Sequence, residues 1–330
     1  MAVSIADIQK LRKMTGAGLS DCKKALTETE GNFDKAVEII REKGQAIAAK
    51  RSDRETSNGC VLVKYADNFG AIVALKCETD FVANGADYIK LTQDILDAAV
   101  AAKAKSLDEV KELTLADGTK VLDAVVARSG ITGEKMELDS YNFIEGENIS
   151  TYDHMGKHTL CTMVQTNKAA EEQAHAIAMQ VAAMKPMFLD EASVSQEFIE
   201  EEKKVAAEKT KQELVQKAVD AALKKAGINP AHVDSEEHME SNMGKGWITA
   251  EDVAKAKEII ATVSAEKAAN LPAQMIENIV KGRINRIYKE NCLLNQEFIQ
   301  DSKLSVADYL KAADKDLTVV DYKRFSLSAD

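Results

Sequence analysis

Proline and aromatic residues are scarce in this chain. Three prolines (Pro186, Pro230, Pro272) and a 5 % aromatic share stand against 330 residues. So few aromatic rings disfavour a base-stacking platform for single strands. A surplus of cationic charge is also missing, since 43 Lys and Arg face 54 Asp and Glu, a formal net charge of −11. Phosphate binding rests on cationic charge, so no nucleic-acid partner is expected. The five cysteines (Cys22, Cys60, Cys77, Cys161, Cys292) are odd in number and never in CxxC spacing. That argues against structural zinc or a disulfide framework, and for free thiols in a reducing cytoplasm. No run approaches the roughly 18 apolar residues of a membrane span, so no membrane partner is expected. Asp7, Lys10, Arg12 and Lys13 interrupt the N-terminus before a signal-peptide core could form. What is plentiful is Ala, Lys and Glu, which points to long helices. At roughly 100–200 residues per domain, the length suggests two or three domains.

Residues 1–44 read as three short helices forming a small independent bundle. Ser4 and Asp7 suit a helix start, and Ile5, Ile8 and Leu11 recur at helical spacing up to Gly16. Leu19, Cys22 and Leu26 form a second stripe. Asn32 can cap a third helix, with Phe33, Val37 and Ile40 inward and Gly44 at its end. The charged stretch 45–57 reads as a linker. The period then changes: Val61, Val63 and Tyr65 alternate as a strand, Asp67 to Gly70 is a turn, and Ile72 to Cys77 a second strand. Asp87 to Lys103 returns to helix.

The same order recurs. Ile149 to Tyr152 and Thr159 to Val164 read as strands around a turn, followed by a helix from Ala169 to Met184 that Pro186 stops. Tyr65 and Tyr152, Thr79 and Thr166, and Asp80 and Asn167 are each 87 apart. A duplicated strand–turn–strand–helix unit explains this spacing. Ser195 to Ala226 reads as one long helix, Gly227 to Trp247 as a loop, and Thr249 and Pro272 as the starts of further helices. A helical hairpin or coiled-coil arm follows. The tail holds a short helix, Ser305 to Ala313, and a strand around Leu317, Val319 and Tyr322. The expected fold is therefore α+β. Its domains are 1–54 (the bundle), 55–140 (first core part), 141–195 with 273–330 (second core part) and 196–272 (the arm).

Few residues suggest chemistry of their own. Gly16-Ala17-Gly18 lacks both GxGxxG and a P-loop Lys-Ser/Thr, so no direct nucleotide binding is expected. His154 and His158 have metal-friendly spacing, but Gly156 lies between them in a turn, and no metal or other cofactor is expected. No nucleophile motif or carboxylate pair stands out, so the chain does not read as an enzyme. Thr79-Asp80-Phe81-Val82 differs, because Phe81 lies at a strand exit beside a charge. Phe81 either turns into the core beneath the following helix or stands out as an apolar wedge for a partner.

Two segments carry a family resemblance. Leu11-Arg12-Lys13-Met14-Thr15-Gly16-Ala17-Gly18-Leu19-Ser20-Asp21-Cys22-Lys23-Lys24-Ala25-Leu26 and Cys77-Glu78-Thr79-Asp80-Phe81-Val82-Ala83-Asn84 resemble the two signatures of bacterial translation elongation factor Ts. Tyr152 to Lys157 resembles a third stretch of that family. The resemblance implies a guanine nucleotide exchange factor that promotes GDP release from the GTPase elongation factor Tu. It implies a ubiquitin-associated-like bundle touching the GTPase through Leu11, Leu19 and Ser20. Thr79, Asp80, Phe81, Val82 and Ala83 would wedge near the magnesium and phosphate site, and His154 would touch a further domain. Whether the arm or the core also joins two copies of the chain as a homodimer is left open by the sequence. The rival readings are a helical scaffold for another protein and a metal enzyme built on His154 and His158.

Overall fold

The structure is a computed structural model and describes residues 3–328. The chain opens on α1 (Ile5–Thr15), α2 (Leu19–Glu28) and α3 (Phe33–Lys50). Ser4 and Asp7 cap each other's backbone at the start of α1, and Gly16 ends it in the left-handed region at φ 70°. Asn32 caps α3 by accepting from the Lys35 N–H. Leu11, Cys22, Leu26 and Ala36 form the core of this bundle.

Gly44 was expected to end α3, yet the helix runs on to Lys50 and absorbs half of the expected linker. The reason lies in the next layer. A glycine inside a helix costs about 1 kcal/mol against alanine. Here it lets α3 press against α7 (Val121–Thr132), where a Cβ on Gly130 would lie 2.4 Å from the Gly44 Cα. The bundle is therefore not independent. It belongs to one compact unit with the core, residues 1–189 and 297–330.

Strands β1 (Asn58–Ala66) and β2 (Phe69–Cys77) form a hairpin. After β2 come α4 (Asp80–Ala83), α5 (Ala86–Ala102), α6 (Leu107–Glu112) and α7. Strand β3 (Met136–Glu145) then pairs with β2, giving an antiparallel sheet in the order β1-β2-β3. The expected boundary at 140 therefore cuts through β3. Strand β2 is buried on both faces. Ala71, Val73 and Leu75 pack with Tyr88, Ile95, Leu96 and Ala99 of α5. Ile72 and Ala74 pack with Ile149, Cys161 and Met163 of the next sheet. That explains its unbroken apolar sequence.

The next sheet begins with β4 (Ile149–Asp153) and β5 (Leu160–Thr166), followed by α8 (Glu171–Met184). The second compact unit, residues 190–296, holds α9 (Gln196–Lys225), α10 (Glu236–Gly244), α11 (Ala250–Ala269) and α12 (Ala273–Asn291). Ser195 caps α9, and Thr249 and Asp252 cap α11 reciprocally. Val219, Leu223, Val233, Met239, Ile248 and Ala256 make its core, so the expected loop 227–247 in fact folds around α10. The core was expected to resume at 273. Instead α12 packs on α9 and ties to it through Arg283 and Glu213 at 2.7 Å.

The first unit resumes with β6 (Glu297–Phe298), β7 (Asp301–Ser305), α13 (Val306–Ala313) and β8 (Val319–Ser326). Strand β8 completes the sheet order β4-β5-β8. Strands β6 and β7 pair as a separate two-stranded sheet, and each of the other two sheets has a hairpin plus a third strand added beside the hairpin's second one. The five cysteines are free and buried, and burial pushes the Cys77 thiol up to about 11.

The glycine crossing makes an asymmetric test. Gly130→Ala forces a Cβ against backbone and is expected to lower stability by about 1–3 kcal/mol. Gly44→Ala meets its nearest atom at 3.5 Å and is expected to be tolerated. Urea unfolding checks both, and equal effects would contradict the close packing.

Candidate partner-binding site

The exit of β2 decides how the second signature is presented. Helix α4 is one turn long and starts at Thr79, whose hydroxyl oxygen accepts from the Val82 N–H. A single turn has little stability of its own, so its neighbours must hold it. Ala83 is buried and Val82 packs on the first sheet's core. Asp80 is exposed, and Phe81 is 88 % exposed. Of the two positions open to Phe81, the structure shows the outward one. Leaving such a ring in water forgoes roughly 1.5–3 kcal/mol of burial.

Two carboxylates hold the base of α4. Glu134, in the turn between α7 and β3, accepts from the Thr79 N–H at 3.1 Å and from its hydroxyl at 2.6 Å. Glu78 accepts from the Lys135 N–H at 2.7 Å. It also accepts from Arg51 at 3.0 and 3.2 Å and from Arg54 at 3.0 Å. Asn58 on β1 donates to the Glu78 carbonyl at 3.0 Å. The Lys135 amide foremost, then Arg51 and Arg54, hold the Glu78 carboxyl down from 4.5 to about 2. Glu78 stands in the quoted signature, but sequence reading gave it no part. The partners of its carboxylate come from 24 to 57 residues away, which no local pattern reveals.

In the bundle, Leu19 opens α2 and is exposed, as is Ser20 beside it. Leu11 is fully buried, so it supports that surface from beneath and cannot present its own side chain. Met14 is exposed across the Gly16 turn and was not singled out.

The loop between β4 and β5 carries His154. Its Nδ1 lies 3.0 Å from the Tyr152 hydroxyl, and the Tyr152 ring packs edge-on to His175. His158 turns to Asp153 instead, with Nδ1 2.5 Å from Oδ2. The two histidines therefore face different partners. Among the described residues no three His, Cys, Asp or Glu side chains come together as metal ligands. Met155, at φ 57°, is 71 % exposed at the loop's tip. Among the described residues no helix is long and apolar enough to cross a membrane.

The chain's similarity to known proteins is extensive. A family model described as "Elongation factor TS" matches residues 78–226 and 216–329. A Bacteroides fragilis protein named elongation factor Ts is 68 % identical over 331 residues, covering 100 % of both chains. Its namesakes from Bacteroides thetaiotaomicron and Porphyromonas gingivalis are 66 % and 43 % identical, again over 100 % of each chain.

Glu78 gives the site a pH signature. Its folded pKa is depressed, so its stabilising contribution is complete above about 4.5 and is lost as pH falls toward 2. The stability gap between the unmutated chain and Glu78→Gln is expected to be constant above about pH 5.5 and much smaller near pH 3. Urea unfolding at both pH values checks this, and an unchanged gap would contradict the ion-pair reading.

Proposed function

The chain belongs to the elongation factor Ts family, and from that membership we propose how its residues act. The family role is nucleotide exchange in translation elongation, and that is this chain's function. Its GTPase is elongation factor Tu, met in the cytoplasm. The observation that carries the mechanism is the exposed Phe81 ring on a firmly held base, with the Asp80 carboxylate beside it.

Bound GDP is held largely by magnesium and by backbone amides around its phosphates. A ring inserted next to that site displaces the partner's backbone. A carboxylate beside it competes for the same donors and for the ion. Val82 and Ala83 supply the apolar footing on which the pair stands. Leu19 and Ser20 dock the bundle on the nucleotide domain, with Leu11 holding α2 from below. His154, steered by Tyr152, and the exposed Met155 dock the second sheet on another domain. These contacts bring the wedge to its target and share the cost of inserting it.

No bond is made or broken. The factor weakens nucleotide binding, so nucleotide weakens factor binding by the same amount. A transient nucleotide-free complex results, and incoming nucleotide resolves it. The absence of a nucleophile motif in the sequence is consistent with such a role.

The test is stopped-flow release of labelled GDP from elongation factor Tu. The unmutated chain is expected to accelerate release. Asp80→Ala with Phe81→Ala is expected to slow it roughly a hundredfold, from the loss of a positioned wedge. Because both side chains are exposed, stability should change by only about 0.5 kcal/mol. Release at the unmutated rate would overturn the wedge assignment.

A further inference from the structure

The network behind Phe81 has a geometry that exceeds what capping a single turn needs. Thr79 is already fixed by Glu134. Glu78 adds a connection to another part of the molecule, the turn that directly follows α3, through Arg51 and Arg54. Helix α3 is the third helix of the N-terminal bundle. It touches the core a second time, at the Gly44–Gly130 crossing. One contact between two packed helices leaves a pivot. A second contact, between Glu78 and the arginines that follow the helix, removes it.

From this we infer that Glu78 is a positioning residue for the wedge. Clasped by Arg51 and Arg54, it fixes α4 to the helix that carries the bundle, so that bundle docking and Phe81 insertion occur as one placement. The inference rests on the reading of Phe81 given above and adds to it a residue that touches neither partner nor nucleotide. The arrangement suits that part chemically. A carboxylate bonded by two guanidinium groups and a backbone amide is held from three directions. Within the clasp the Glu78 side chain is only 14 % exposed and Arg51 is half-buried, so solvent screens that pair less than a surface pair, while Arg54 reaches it from the surface. Without it, α4 keeps its N-cap and its core contacts, but the direct tie between the bundle's third helix and the wedge is lost.

The experiment measures GDP release from elongation factor Tu against factor concentration, for four chains. These are the unmutated chain, Glu78→Gln, Phe81→Ala and the double variant. Glu78→Gln keeps an acceptor for the Lys135 amide while removing the charge the arginines hold. Its saturating release rate is expected to fall roughly tenfold, with the half-saturating concentration little changed. In the Phe81→Ala background the same substitution is expected to slow release no further. A residue that only stabilised the fold would instead lower both chains by the same factor. Losses that multiply, or a Glu78→Gln chain at the unmutated rate while Phe81→Ala is slow, would overturn the positioning role alone. A Phe81→Ala chain at the unmutated rate would overturn the wedge and this role with it. Should Glu78→Gln fail to fold, Arg54→Ala carries the same cycle from a more exposed position, 58 % accessible.

Discussion

Strand β2 is buried on both faces, and the rest of the site depends on that constraint. One face meets α5 and the other meets the second sheet. A strand packed from both sides has no freedom to slide, because a one-residue slip would exchange its faces. Its C-terminal end is therefore a fixed point. The residues that leave it, Glu78 and Thr79, are caught at once by Arg51, Arg54, Lys135 and Glu134. An exposed phenylalanine on a flexible loop would collapse onto the nearest apolar surface. On this footing it stays in water, and the free energy of its burial remains for a partner.

The two three-stranded sheets treat their strand exits differently. Both halves carry a hairpin, a helix and a third strand in the same sheet order. Thr166 follows Thr79, and Asn167 follows Asp80, at the shared spacing, but Thr166 still lies within β5 whereas Thr79 lies beyond the end of β2. In the second half, Asn167 accepts from the Thr318 N–H at 2.9 Å and donates to the Asp316 carbonyl at 2.8 Å. That bond pair closes the strand exit against the segment leading into β8. In the first half the strand exit is tied through Thr79 and Glu134. Position 80 is then free of that duty, and the chain turns outward there into α4. The same scaffold thus closes one copy and opens the other.

Much of this was legible in the sequence where the signal was local. Caps at Ser4, Asn32 and Thr249 marked helix starts that the structure shows. The α+β class and the repeated hairpins followed from the change of period. What was not legible depended on distant partners. Gly44 reads as a stop by propensity, yet α7 supplies the packing that makes it a crossing point. Helices α6 and α7 and strand β3 lack clean periodicity because they are covered unevenly. Leu11 belongs to a matched motif, but burial assigns it to support rather than to contact. The orientation of Phe81 could not be read from alternation, since the strand pattern ends before it. It follows from Ala83 and Val82 claiming the inward face.

The central claim is that Phe81 is presented to the nucleotide site of the GTPase. The most direct measurement is photo-crosslinking from position 81, with a benzophenone side chain replacing the phenyl ring. The account predicts attachment within the nucleotide-binding domain of elongation factor Tu, beside the phosphate site, and loss of that product when GDP is added in excess. Attachment elsewhere, or a product indifferent to GDP, would contradict it.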